Sequence, residues 1–404
     1  MQDDYYECTK SMLTCIWALS LFGAEQLARL LAPRETLTPR YITKVTCDIM
    51  QQSAEVCRFL MPGQENRLAW QEFQNKLQAF DLFEHVDVIL RLPSGPEIPL
   101  VALVEQAERL GPYLAVWAME GLGRYYAETC WEHAGTPQHL LSTDQVRALP
   151  PRSLIPLHTG LGLSLAGRLL AILRPQSPES DLDTVLQQFV ALCQQNAVAG
   201  YAGAALEALG LVTRLCYPQR VRMVDRRLSV LAPDIVGYFW HGVGRGLYFL
   251  PLHALPCSSV TWRAVEMTQA EAPHALGRLN ALGGLAWAIT LVNIRHPAIL
   301  EACIQRYGDV LSANDAFFSG VSAALMIWYD MASADPYLKD FLQYQPDAAN
   351  TRLVQLWHSQ VRGPAQEALQ RYYGVLKAWH GLGEVFRYQP LPALVDRLVG
   401  EPVQ

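Results

Sequence analysis

A short glycine motif returns along this chain at almost even spacing. It reads Gly, apolar, small, any, any, apolar. EGLGRYYA carries it with Gly121 first, TGLGLSLA with Gly160, and GYAGAALEAL with Gly200. HGVGRGLY carries it with Gly242, ALGGLAWA with Ala281 in the first place, and SGVSAALM with Gly320. The steps between first positions are 39, 40, 42, 39 and 39 residues. A period near 40 suits a unit of two helices of about 12–14 residues joined by short connections. It is too short for a strand–helix–strand repeat with its crossovers.

The motif stretches lack β-type alternation and are apolar on nearly every side, as buried helices are. Between them lie Pro-bearing breaks at 149–152, 174–180 and 217–220 and amphipathic segments such as DLDTVLQQFVALCQQN. The expectation is an all-α protein of six helix pairs of about 40 residues. They close as an (α/α)6 ring or, alternatively, stack as an open α-solenoid. The repeat domain spans 106–345, with helical flanks at 1–105 and 346–404. A glycine inside a helix costs about 0.5–1 kcal/mol relative to alanine. Six such sites imply a recurring reason, and close approach of neighbouring helices is the plain one.

Composition narrows the partners. Of 404 residues, 51% are apolar and 17% charged, and the net charge is −6. An acidic chain with so little charge is not built to displace counterions from nucleic acid. Arg220, Arg222, Arg226 and Arg227 form the one basic cluster, read as a solvated face or an anion contact. Nine dispersed cysteines, with no CxxC pair, suit buried thiols in a reducing cytoplasm. The apolar stretch Ser11–Ala24 is short of the roughly 20 residues that a span needs and follows an acidic start. Residues 11–31 are therefore the one candidate for peripheral membrane contact.

The order of the motifs resembles a bacterial family of unknown function, numbered 1702 among such domains. The resemblance rests on Glu120-Gly121, His158-Thr-Gly-Leu-Gly162, Gly200-Tyr201, Gly242-Val-Gly-Arg245, Gly284-Leu-Ala286 and Gly320 with its alanines, over about residues 110–330. The chain departs from the pattern at Ala204 and Ala205, where polar residues are usual, and at Ala281. Members are often encoded in natural-product loci, including enediyne polyketide clusters. The resemblance implies a setting in specialised metabolism and brings no settled activity.

The polar residues beside the glycines carry the candidate chemistry. Glu120 and Arg124, like His241 and Arg245, stand four apart on one helix face. In a six-unit ring, units one and four lie opposite, about 14–20 Å across. The two pairs would then face one cavity. Candidate catalytic residues are Glu120, His241 and Asp315, with the acid moving a proton. Arg124 and Arg245 would stabilise charge or hold an anionic head group. His158, Tyr238, Trp240, Tyr248, Trp287 and Phe318 would line an aromatic-rich binding cavity, although such a stripe is more often plain core.

Other chemistries are near misses. There is no G-x-G-x-x-G after a strand and no GxxxxGK[ST], so no nucleotide loop is expected. No DDxxD, HExxH or nucleophile elbow occurs, so no metal, cofactor or covalent nucleophile is expected. The resulting expectation is a cyclase or isomerase working by acid–base catalysis on a long apolar polyene or isoprenoid. The alternative is a non-catalytic carrier or scaffold for a hydrophobic intermediate or partner enzymes.

Overall fold

In the computed structural model, residues 64–92, 99–142, 146, 148–174, 177–250 and 263–400 are described. Among them every regular element is helical, and no strand occurs. In chain order the main helices are α1 (Gln64–Glu84), α2 (Val86–Ile89), α3 (Leu100–Glu108), α4 (Pro112–Ala134), α5 (Leu154–Ala171) and α6 (Glu179–Asn196). Next come α7 (Ala202–Leu206), α8 (Ala208–Cys216), α9 (Val221–Leu231), α10 (Val236–Tyr248), α11 (Arg263–Glu271) and α12 (Ala275–Val292). The chain continues through α13 (Pro297–Leu311), α14 (Ala316–Ala332) and α15 (Pro336–Gln343). A π-bulged helix follows from Thr351 to Ala378, then α16 (Leu391–Gly400).

The motif helices α4, α5, α8, α10, α12 and α14 are buried almost all round, while α6, α9, α11, α13 and α15 keep an exposed face. This division follows from composition. Ala, Leu and Gly on every side of α5 or α12 leave no face for water. The Gln- and Asp-bearing side of α6 needs one. Helices 151–171 and Ala275–Val292 are long and apolar enough to cross a membrane, yet most of each is buried inside the protein. They are core helices. The membrane-contact candidate, 11–31, lies outside the described residues.

The glycines are where motif helices meet. A Cβ on Gly160 would fall under 3.0 Å from the Glu120 carbonyl, and one on Gly123 equally close to the Leu157 carbonyl. The same reciprocal pair recurs between α8 and α10, where Gly242 meets Glu207 and Gly210 meets Phe239. It recurs again between α10 and α12, where Gly284 meets His241 and Gly244 meets Ala281. Single contacts of this kind, Gly162 on Ala205 and Gly320 on Gly283, join α5 to α7 and α12 to α14. No side chain survives such an approach to backbone, so the glycine cost is offset by close packing.

These contacts correct the spacing read from the sequence. The carbonyl that Gly242 meets is that of Glu207, as Gly160 meets that of Glu120, which puts Ala208 and not Gly200 in the first motif place of the third helix. In the fifth, the residue that meets neighbouring backbone is Gly284, not Ala281. Gly200 lies in a turn at φ +82, against the His380 carbonyl. The equivalent positions are thus 121, 160, 208, 242, 284 and 320, which are not evenly spaced.

Among the described residues, the flanks share an apolar core with the motif helices. On one side, α1 lies against α4 and α12, held by Asn75 Nδ2 donating to Asn293 Oδ1 at 2.9 Å. On the other side, Gly383 N–H donates to the Gly200 carbonyl (2.8 Å), and Phe386 stands at 5.6 Å from Trp287, centroid to centroid. The first and sixth motif helices touch through Tyr113 and Trp328, 5.7 Å between ring centroids.

Candidate functional site

A cleft of about 660 Å³ opens between α1, the length of α4 from Trp117 to Glu132, α8 and the C-terminal halves of α5 and α10. Its walls are Phe80 and Phe83 from α1, Trp117 and Trp131 from α4, Leu163 from α5 and Leu211 from α8, with Phe249 just past α10. Ile172, 65% exposed, stands at its rim with Glu132 and Arg168. Glu120, Arg124 and Arg245 supply charge deep in the cleft. Its size is in the range that takes a small organic ligand.

The charged side chains are held by helix geometry. Successive helical turns stack Glu120 under Arg124 and His241 under Arg245. Arg245 Nη1 donates to Glu207 Oε2 at 2.6 Å, and His241 Nδ1 lies 2.5 Å from Glu207 Oε1. Arg245 Nη2 then reaches Glu120 Oε1 at 3.5 Å. Its guanidinium also lies 4.4 Å from the Trp287 ring centroid. Arg124 grips Glu84 with both terminal nitrogens, Nη1 to Oε1 at 2.7 Å and Nη2 to Oε2 at 3.0 Å. All these groups are buried, Glu207 completely.

Burial divides the two carboxyl groups that Arg245 joins. Desolvation pushes Glu120 above the usual carboxylate range; Arg245 opposes this and the Glu207 charge adds to it. Desolvation acts on Glu207 too, but Arg245 and His241 together outweigh it and hold Glu207 below that range. Glu120 is thus the carboxyl of this site that favours keeping a proton. Ser164 Oγ, on the cleft wall, and Arg245 Nε have no hydrogen-bond partner among the described residues.

Of the residues singled out from sequence, Glu120, Arg124 and Arg245 meet in this cleft; the others lie elsewhere. His241 faces a small recess on the far side, walled by Ser319, Tyr388 and Leu391. Asp315 is exposed and accepts a hydrogen bond from Tyr388 OH, away from the cleft. His158 is a bridge: its Nε2 accepts from Val198 N–H (2.9 Å) and its Nδ1 lies 2.6 Å from the Leu154 carbonyl. Burial lowers its pKa to about 4. Tyr238 donates to Glu384 (2.8 Å), and Trp240 donates to Asp225 (2.6 Å). Tyr248 accepts from Asn293 Nδ2 (2.7 Å) beneath Lys76, whose Nζ is 3.8 Å from the ring centroid. Trp287 backs Arg245 without lining the cleft, and Phe318 packs on Phe317 in the core. In these positions the aromatic residues are core, and the cleft draws its aromatic walls from other residues.

Two further corrections follow. The pairs on α4 and α10 are not separated by an open space of 14–20 Å, because Arg245 spans the gap and its partner Glu207 fills it. Nor is either guanidinium free to hold an anionic head group, since each already binds a carboxylate. In the basic cluster Arg222 and Arg226 are exposed, as on a solvated face, while the other two arginines are held by neighbours. Arg220 donates to the Arg174 carbonyl (2.7 Å), and Arg227 pairs with Asp183.

Glu207 and Glu84 were missed. The signal for Glu207 was present, since Glu207-Ala-Leu-Gly210 matches Glu120-Gly-Leu-Gly123, and Glu207 is the one charge in AGAALEALGLV. Glu84 lies on α1, outside any motif. Among the described residues, no cluster of three His, Cys, Asp or Glu is arranged as a metal site. No protein-family model, curated protein or solved structure matches the chain.

Proposed function

We propose that this protein is an acid–base enzyme that isomerises or cyclises a long apolar substrate in the aromatic-walled cleft, with Glu120 as the acid. One observation carries the reading: a buried carboxyl, raised by desolvation, lines a cleft with aromatic and aliphatic walls whose guanidinium groups are each paired with a carboxylate. A protonated Glu120 would deliver its proton to a double bond or oxygen of the bound molecule. The resulting carboxylate, steadied by Arg245, would take a proton back from a neighbouring carbon. Proton loss and gain balance, and the net change is isomerisation or ring closure. Trp117, Phe83 and Phe249 offer π faces to positive charge developing on the substrate. A closed ring of six helix pairs belongs to the same reading, supported by the Tyr113–Trp328 contact. So does kinship with the bacterial family resembled in sequence.

A carrier of hydrophobic molecules is the second reading. It is favoured by the placement of His241 and Asp315 outside the cleft, which leaves Glu120 without a neighbouring histidine. The two separate on product formation. Incubated with linear polyenes and isoprenoids, the wild type is expected to yield isomeric products of unchanged mass. Glu120→Gln is expected to yield none while melting at nearly the same temperature. Bound substrate recovered unchanged from the wild type would favour the carrier.

A further inference from the structure

We propose that the cleft selects a neutral substrate whose polar end is a hydrogen-bond acceptor, a carbonyl or epoxide oxygen, and that it rejects carboxylates and diphosphates of the same chain. The inference deepens the function proposed above and rests on the same cleft.

The charges argue it. Arg124, Arg168 and Arg245 are the guanidinium groups of the cleft. Arg124 is bound at both terminal nitrogens by Glu84, Arg245 bridges Glu207 and Glu120, and Arg168 pairs with Glu132 at 2.9 Å. Behind or along the walls stand Glu84, Glu120, Glu128, Glu132 and Glu207, more carboxyl groups than guanidinium groups. An incoming anion would add negative charge to a desolvated site that has no excess positive charge to meet it. The terminal nitrogens that would grip it are already engaged by carboxylates, and only the buried Nε–H groups of Arg124 and Arg245 lack a hydrogen-bond partner among the described residues.

A neutral oxygen meets the opposite situation. Ser164 Oγ is buried on the cleft wall with no partner, and a hydroxyl there can donate. Glu120, whose acid form burial favours, is a second donor lining the same cleft whenever it carries its proton. Two donors, apolar walls and neutralised arginines describe a receptor for a hydrocarbon chain ending in an uncharged acceptor. A plain hydrocarbon would leave both donors unsatisfied, which costs binding as well.

Four probes of one chain length test this: methyl farnesoate, farnesoate, farnesene and farnesyl diphosphate. Binding to the full chain is read by quenching of tryptophan fluorescence. Trp131→Phe, which removes an indole fluorophore from the cleft wall, is expected to diminish the signal. Methyl farnesoate is expected to bind at least about tenfold more tightly than farnesoate or the diphosphate, and more tightly than farnesene. Glu120→Leu and Ser164→Ala should each shrink the preference for the ester over farnesene, whereas Glu120→Gln, still a donor, should keep most of it. If farnesoate or the diphosphate binds tightest, or quenching is indifferent to Trp131→Phe, the inference is overturned. Selective binding of the ester without turnover would support it while removing the catalytic reading.

Discussion

Arg245 on α10 extends to Glu120 on α4, Nη2 to Oε1 at 3.5 Å, and so joins two motif helices that are three apart in the sequence. The contact is looser than the 2.6 Å bond that the same guanidinium makes to Glu207. Arg245 therefore belongs chiefly to Glu207, and Glu120 is held by the weaker end. Desolvation raises Glu120 against this weak contact, whereas the closer Arg245 bond and the His241 contact hold Glu207 down.

Turnover should follow the protonation of Glu120. Its carboxyl is shifted upward by burial, so the acid form is present at low pH and is lost as pH rises through the raised value. We expect kcat to fall on the alkaline side, from a higher pH than an exposed glutamate would give. A pH–rate profile flat across that limb would contradict this role.

Removing the shared carboxylate should be costly. Glu207→Gln leaves Arg245 and His241 buried beside an amide. Breaking one partner of a buried pair costs about 3–5 kcal/mol. Glu132→Gln, on an exposed rim pair, should cost no more than about 1 kcal/mol. Urea unfolding of the two variants checks the difference; equal, small losses would show that the Glu207 network is not structural.

The motif glycines should resist even a methyl group. At Gly160, Gly242 and Gly284 a Cβ would meet neighbouring backbone, whereas at Gly374 nothing lies within 4 Å. Alanine at each of the first three is expected to cost about 1–3 kcal/mol through overpacking. Gly374→Ala should be neutral or stabilise by up to about 1 kcal/mol through helix propensity. Thermal melts in one buffer read the contrast, and unchanged midpoints at the motif glycines would remove the close-packing explanation.

His158 should make the fold sensitive to acid. In the folded chain its pKa is lowered to about 4, against 6.5 for a free imidazole. A depressed histidine means that the unfolded chain binds the proton more readily. Stability is therefore full above the unfolded value and falls as pH drops from about 6.5 toward 4. The slope approaches about 1.4 kcal/mol per pH unit, for a total of about 3 kcal/mol. Urea midpoints between pH 7 and 4 should fall more steeply in the wild type than in His158→Gln, and parallel curves would exclude the bridge.

The helical class was legible because it is written in composition and break residues, which act locally. The glycine packing was legible too, since a costly residue placed again and again inside apolar helices needs a compensating contact. The register was not. GYAGAALEAL holds two frames, and nothing local tells Gly200, in its turn, from Ala208, next to the Glu207 carbonyl that Gly242 meets. Following the even spacing chose the wrong one and hid Glu207, the residue that organises the site. The aromatic walls were illegible for a different reason. Phe80 and Phe83 come from α1, and Phe249 follows the motif helix, so which rings meet depends on tertiary packing. Trp240 and Tyr248 sit inside a motif yet turn to partners elsewhere.

Solvent deuterium incorporation tests the role of Glu120 most directly. With a neutral polyene as substrate in heavy water, the Glu120 carboxyl exchanges between turnovers and should deliver one deuteron to carbon in each product molecule. Mass spectrometry of the product reads it. We expect one deuterium per product from the wild type and no product from Glu120→Gln of unaltered melting temperature. Product carrying no solvent deuterium, or formed equally fast by Glu120→Gln, would contradict Glu120 as the acid.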